Sequence, residues 1–129
     1  MSIRSRAGFE DFVSGLPATS IVHQWGDASV AKVGGKVFAL FGLDAEGSGL
    51  VFKVTEFTFD MLTEAGDIAQ APYFAKRGWV RVGGKAALSE EDLEAYLREA
   101  HRLVASKLTR KLQAELGLAE LIAAGPRRS

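Results

Sequence analysis

Two short segments carry the residue types best suited to chemistry. Lys32-Val33-Gly34-Gly35-Lys36 and Arg81-Val82-Gly83-Gly84-Lys85 each place a cation on either side of a Val-Gly-Gly bend. A bend free of bulky side chains and flanked by two cations approaches a phosphate closely, as a hairpin wing does on a nucleic-acid backbone. The spacing predicts the ammonium groups of Lys32 and Lys36 near one tip. Lysines beside hairpin tips also keep sheet edges soluble and unpaired, so one such bend would carry little weight alone. Lys76 and Arg77 add two cations to a stretch, 71–88, that contains no acid. Tyr73, Phe74 and Trp79 are interleaved with them and would offer stacking surfaces if exposed. Trp79 opens a strand with Val80 and Val82 and is expected to be buried, as is Phe74, which leaves Tyr73 as the candidate stacking residue. The candidate DNA-contacting set is therefore Lys32, Gly34, Gly35, Lys36, Lys76, Arg77, Arg81 and Lys85.

Other chemistries find no support in the residue pattern. Neither diglycine carries a Gly-x-Gly-x-x-Gly or a Lys-Ser/Thr ending, so neither reads as a nucleotide loop. The absence of cysteine removes disulfides, thiolate metal sites and cysteine nucleophiles together. His23 and His101, the two histidines, have no carboxylate or second histidine at ligand spacing. Ser20, Ser29 and Ser48 lack the context of a nucleophile elbow. Glu90, Glu91 and Asp92 are explained by the start of a helix. The expectation is a non-enzymatic protein without metal or cofactor.

The chain has 129 residues, 47% of them apolar and 25% charged, enough for one domain and too few for two. Its apolar runs, Val37–Gly42 and Leu50–Phe52 among them, fall far short of the ~20 residues of a membrane span, and no secretory leader is visible, so a cytoplasmic location is expected. Sixteen basic and sixteen acidic residues cancel, which weighs against a nucleic-acid binder at first sight. Their distribution is uneven: 39–70 holds six acids and one base, whereas 71–88 and 100–114 hold four bases each and no acid. A neutral total of this kind is compatible with a dipolar surface.

The elements that must position these residues follow from periodicity. Phe9, Phe12, Val13 and Leu16 predict a short amphipathic helix over 6–15, stopped by Gly15 and Pro17. Strands are expected at 20–25, 28–33, 36–41 and 50–54, the middle two joined through Gly34-Gly35 as a tight hairpin. A second short helix begins near Phe57 and closes near Gly66, and a further strand covers 78–82. Ser89 caps a long helix whose stripe, Leu93, Leu97, Ala100, Val104 and Leu108, predicts about 24 residues before Gly117. The resulting class is a two-layer α+β domain over 1–113, an antiparallel sheet backed by N- and C-terminal helices. A partly helical tail, 114–129, is expected to fold back on it.

The ordered series Leu16-Pro17, Trp25-Gly26, Lys32 to Ala39, Phe52-Lys53-Val54, Pro72-Tyr73-x-x-Lys76-x-x-Trp79-Val80 and the helix bearing Leu93, Leu103-Val104 and Lys107-Leu108 resembles the MmcQ/YjbR family over about residues 6–113. The resemblance implies a CyaY-like fold, related in architecture to frataxin, and a DNA-binding role described as a double wing. The family tends to carry an aromatic near position 101, where this chain has His101. Three functions are weighed. The first is weak, largely sequence-independent DNA binding; six neutralised phosphates would give a salt slope of about −5. The second is a protein-interaction module or homodimer, through the sheet edge or the long helix. The third, iron handling by analogy with frataxin, is disfavoured because the first helix offers only Glu10 and Asp11 and architecture alone does not transfer function.

Overall fold

In the computed structural model, residues 3–42, 49–64, 68–71, 78–82 and 88–123 are described. The chain runs α1 (Arg6–Ser14), β1 (Thr19–Gln24), β2 (Ala28–Val33), β3 (Lys36–Phe41), β4 (Leu50–Lys53), α2 (Glu56–Thr63), β5 (Ile68–Gln70), β6 (Trp79–Val82), α3 (Glu90–Ala105), α4 (Arg110–Glu115) and α5 (Ala119–Ala123). The strands form one open antiparallel sheet in the order β1-β2-β3-β4-β6-β5. The expected α+β class is thus observed. Among the described residues, no helix is long and apolar enough to cross a membrane.

Strand alternation gives the sheet two unequal faces. Val33, Phe41, Phe52, Val80 and Val82 point to the helix side and join Phe9, Val13, Leu93, Leu97 and Ala100 in the main core. Val30, Leu40, Val51 and Ala28 point the other way, into a smaller apolar cluster with Ala71, edged by Val37 and Trp79. A bulge in β3 shifts the register between Ala31↔Ala39 and Lys32↔Val37. Phe38 is the extra residue, and the bulge turns it to the same side as Ala39, so that its ring meets His101 edge-on at 5.2 Å.

The helices start where their caps dictate. Ser5, Thr55, Ser89 and Thr109 each accept the backbone N–H three residues on. The last of these corrects the expectation of one long C-terminal helix. The stripe from Leu93 to Leu108 is buried as expected, but α3 ends after 16 residues and Thr109 caps a new helix. The amide of Gln113 donates to the Leu108 carbonyl at 2.8 Å, holding the corner. Beyond Gly117 (φ +71°) the chain turns back, and Leu118 is fully buried in the main core. The strand β5, three residues long, had no counterpart among the sequence expectations.

Candidate functional site

Hairpin register decides where the two lysines of the first diglycine segment go. Gly34 and Gly35 adopt φ of +58° and +82°, the double positive φ of a two-residue turn, which pairs Val33 with Lys36 and Lys32 with Val37. Successive residues face opposite sides of a sheet, so Lys36 shares the helix side with Val33 while Lys32 lies on the other face. The expected convergence of Lys32 and Lys36 at one tip does not occur. Nor is the turn a free wing. A Cβ built on Gly34 would lie 2.6 Å from a methyl carbon of Leu108, so glycine here serves the docking of the turn against the α3–α4 corner; Gly35 faces open space.

Lys36 instead lines an opening together with lysines from elsewhere in the chain. Lys36 and Val37 at the start of β3, Lys53 and Val54 at the end of β4, Thr55 and Glu56 at the start of α2, Leu103 and Val104 near the end of α3, Lys107 in the turn after it, and Gly78 line an open cleft of about 480 Å³. Lys53 lies by alternation on the same face as Trp79, with its ammonium 5.7 Å from the indole centroid. Its chain also reaches the sheet end, where a Cβ on Gly78 would sit 2.9 Å from Nζ. Neither Lys36 nor Lys107 forms an ion pair among the described residues. Among the described residues the cleft is thus lined by three lysines, Glu56 and the apolar Val37, Val54, Leu103 and Val104; it lies at the end of the sheet, where Lys36 belongs to the helix side and Lys53 and Val37 to the other face. The N-terminal turn of α2, where unsatisfied backbone N–H groups concentrate, forms another side.

The remaining candidates divide by position. Arg81 pairs with Val51 and Ala69 and lies on the face of Lys32, three strand spacings away, on the order of 15 Å. Trp79 is partly buried against the small second-face cluster. Tyr73, Phe74, Lys76, Arg77, Gly83, Gly84 and Lys85 lie outside the described residues. Sequence reasoning missed Lys53 and Lys107 as site residues; Lys53 looked isolated in an acidic stretch, and Lys107 is 71 positions from Lys36.

A second polar cluster also escaped it. Glu10 on α1 reaches His23 on β1, Oε2 to Nε2 at 2.8 Å, and accepts a short hydrogen bond from the Ser29 hydroxyl on β2. Arg6 donates to that hydroxyl at 2.6 Å and to the Asp27 carbonyl at 2.7 Å. The Ser29 bond first, then His23, holds the Glu10 carboxyl below its ordinary value. Ser29 is fully buried and saturated by its neighbours, so the cluster fastens α1 to the β1–β2 hairpin and leaves no nucleophile open to a substrate. His101 is buried as well, its Nε2 2.7 Å from the Pro17 carbonyl, and burial pushes its pKa down against that bond. Among the described residues, no group of three His, Cys, Asp or Glu could hold a metal ion.

The fold and the cleft together define an open six-stranded antiparallel sheet domain with a lysine-lined cleft at one end. Residues 14–103, more than two thirds of the chain, match the YjbR family, and the chain belongs to that family. It is similar in fold to a Deinococcus radiodurans protein with a DUF419 domain (TM-score 0.81, 24% identity, covering 98% of this chain and 97% of that one). It is also similar to a Pseudomonas syringae protein (TM-score 0.62, 19% identity, 77% and 97%). No curated protein matches the chain.

Proposed function

We propose that the chain is a non-enzymatic DNA-binding protein that holds the phosphate backbone at the cleft. The observation that carries this reading is that Lys36, Lys53 and Lys107, distant in the chain, line one opening, Lys36 and Lys107 without an ion pair among the described residues. Like charges brought together repel, and a chain of zero net charge has acids enough to interleave them. A phosphate at the opening can be held by Lys36 and Lys107, and the backbone N–H groups of the α2 start are suited to its oxygens. Phosphate contacts of this kind position a nucleic acid without reading its sequence, so weak and sequence-tolerant binding is expected. Lys32 and Arg81, on the other face, would supply longer-range attraction.

The test is a titration of duplex DNA across salt concentrations. Three neutralised phosphates give a slope of log affinity against log salt of about −3, steeper if further cations take part. The double reversal Lys36→Glu/Lys107→Glu is expected to remove most binding while leaving the melting temperature unchanged. A flat salt response ends the proposal.

One observation favours a second reading, self-association. The outer strand β1 spans six residues with no lysine, arginine or proline, the usual guards of an exposed edge, and Val22 on it is exposed. Pairing of β1 with the β1 of a second copy would be broken by Val22→Lys, and sedimentation at rising concentration reads the outcome: a monomer throughout rejects it.

A further inference from the structure

The cleft is a concavity, and a double helix presents its phosphates on convex ridges with the bases stacked away inside. Resting on the proposed DNA binding, we infer that the cleft is built for an unpaired nucleotide, so that the protein prefers single-stranded to duplex nucleic acid. Three observations support this. The volume, about 480 Å³, lies within the range of sites that enclose a small molecule, roughly 300–1,000 Å³. The lining combines lysines, Lys36, Lys53 and Lys107, with apolar side chains that include Leu103 and Val104, the two kinds of contact a nucleotide calls for. Finally, the α2 turn that lines the cleft continues directly into Phe57, 77% exposed, with Met61 (47% exposed) one helical turn further on the same side. A phenylalanine that uncovered in the first turn of a helix contributes little to the fold. Beside a cationic cleft it supplies the aromatic platform on which single-strand binders stack a base.

The acids of α2 argue for a nucleotide over a charged lipid surface. Glu56 lines the cleft, Asp60 follows one turn later, and both engage other groups of the chain. An anionic bilayer pressed onto Phe57 and Met61 would meet these carboxylates. A base is neutral, and its amino groups donate to carboxylates.

The test compares fluorescence anisotropy of an end-labelled mixed-sequence oligonucleotide, single-stranded and annealed to its complement, at one salt concentration. Tighter single-strand binding by about tenfold is expected, together with loss of that preference in Phe57→Ala while duplex affinity and melting temperature stay the same. Equal affinity for the two forms, or a preference untouched by Phe57→Ala, overturns the inference and leaves the DNA-binding proposal standing. Binding to neither form overturns both. Capture by vesicles of anionic phospholipid without single-strand binding overturns the inference in favour of a membrane surface.

Discussion

The two ends of the β2–β3 hairpin handle polar groups in opposite ways. At the end near Ser29, which pairs with Phe41, Arg6, Glu10, His23 and Ser29 satisfy one another, carboxylate against imidazole and hydroxyl, guanidinium against hydroxyl and carbonyl. At the end near Val33, which pairs with Lys36, the opening is lined by Lys36 and Lys107, neither of them ion-paired among the described residues. A saturated network is a fastening, because each group already has its counterpart and an added ligand would have to break a bond to enter. An arrangement left with surplus charge of one sign has capacity for a partner of the other. Burial points the same way: Ser29 is inaccessible, whereas Lys36 is exposed.

The largest effect that would sharpen this contrast is expected at the turn between the two ends. Gly34→Ala must place a methyl group at φ +58° and push aside the buried Leu108, whereas Gly35→Ala meets only the backbone strain. Strain alone costs about 1 kcal/mol. Displacement of Leu108 from its seat brings the Gly34 variant to about 2–3 kcal/mol. Chemical denaturation of both variants checks the order. Equal costs would mean the hairpin end is a free wing after all, and the cleft would lose its anchored wall.

Next comes the fastening itself. Glu10→Ala removes the acceptor of the buried Ser29 hydroxyl and the partner of His23, and is expected to cost about 2 kcal/mol of stability. DNA affinity should not change. Double-mutant comparison with Ser29→Ala would show the two costs to be strongly non-additive, since each substitution removes the same bond. A Glu10→Ala protein with wild-type stability and weakened DNA binding would invert the assignment of the two ends.

Acid titration gives a smaller and graded effect. Burial lowers the pKa of His101 in the folded protein, so between its folded value and the ordinary 6.5 the unfolded chain holds a proton that the folded one does not. Stability is therefore full above pH 6.5, falls as pH drops below it, and flattens once the folded state also protonates; the slope is at most ~1.4 kcal/mol per pH unit. Glu10 adds a second limb. Its carboxyl is held below 4.5 when folded, so its contribution is full above that pH and is lost as pH falls through the folded value. His101→Phe should abolish the upper limb and leave the lower one, measured as the pH dependence of the melting temperature.

Local chemistry in the sequence was enough for much of the fold. Ser89 announced α3, Gly34-Gly35 announced a hairpin whose flanking strands fall at 28–33 and 36–41, and Gly15 marked the end of α1. Thr109 was equally visible as a cap, yet the unbroken apolar stripe through Leu108 outweighed it; periodicity cannot tell a helix that continues from one that ends after its last buried residue. The face of Lys32 was also implicit, since a two-residue turn fixes the alternation on both sides. What the sequence could not supply was the cleft. Lys36, Lys53 and Lys107 line one opening beside the α3–α4 corner, whose Leu108 docks on the turn, and that contact depends on packing between elements far apart in the chain.

The smallest expected effect decides how sharply the cationic region is bounded. Lys36→Glu removes a cleft contact and should weaken duplex binding about tenfold, with the salt slope reduced by about 1. Lys32→Glu alters a side chain four positions away that does not line the cleft, and should weaken binding less than about threefold, with an unchanged slope, because only screened long-range attraction is lost. The two reversals carry the same change in net charge, so any difference between them reports location alone. Equal losses and equal slopes would mean that phosphates track around the end of the sheet onto the face of Lys32 and Arg81. In that case the cleft would be one stop along a continuous basic band, and the preference for an unpaired strand would have to come from Phe57 without the help of a concave seat.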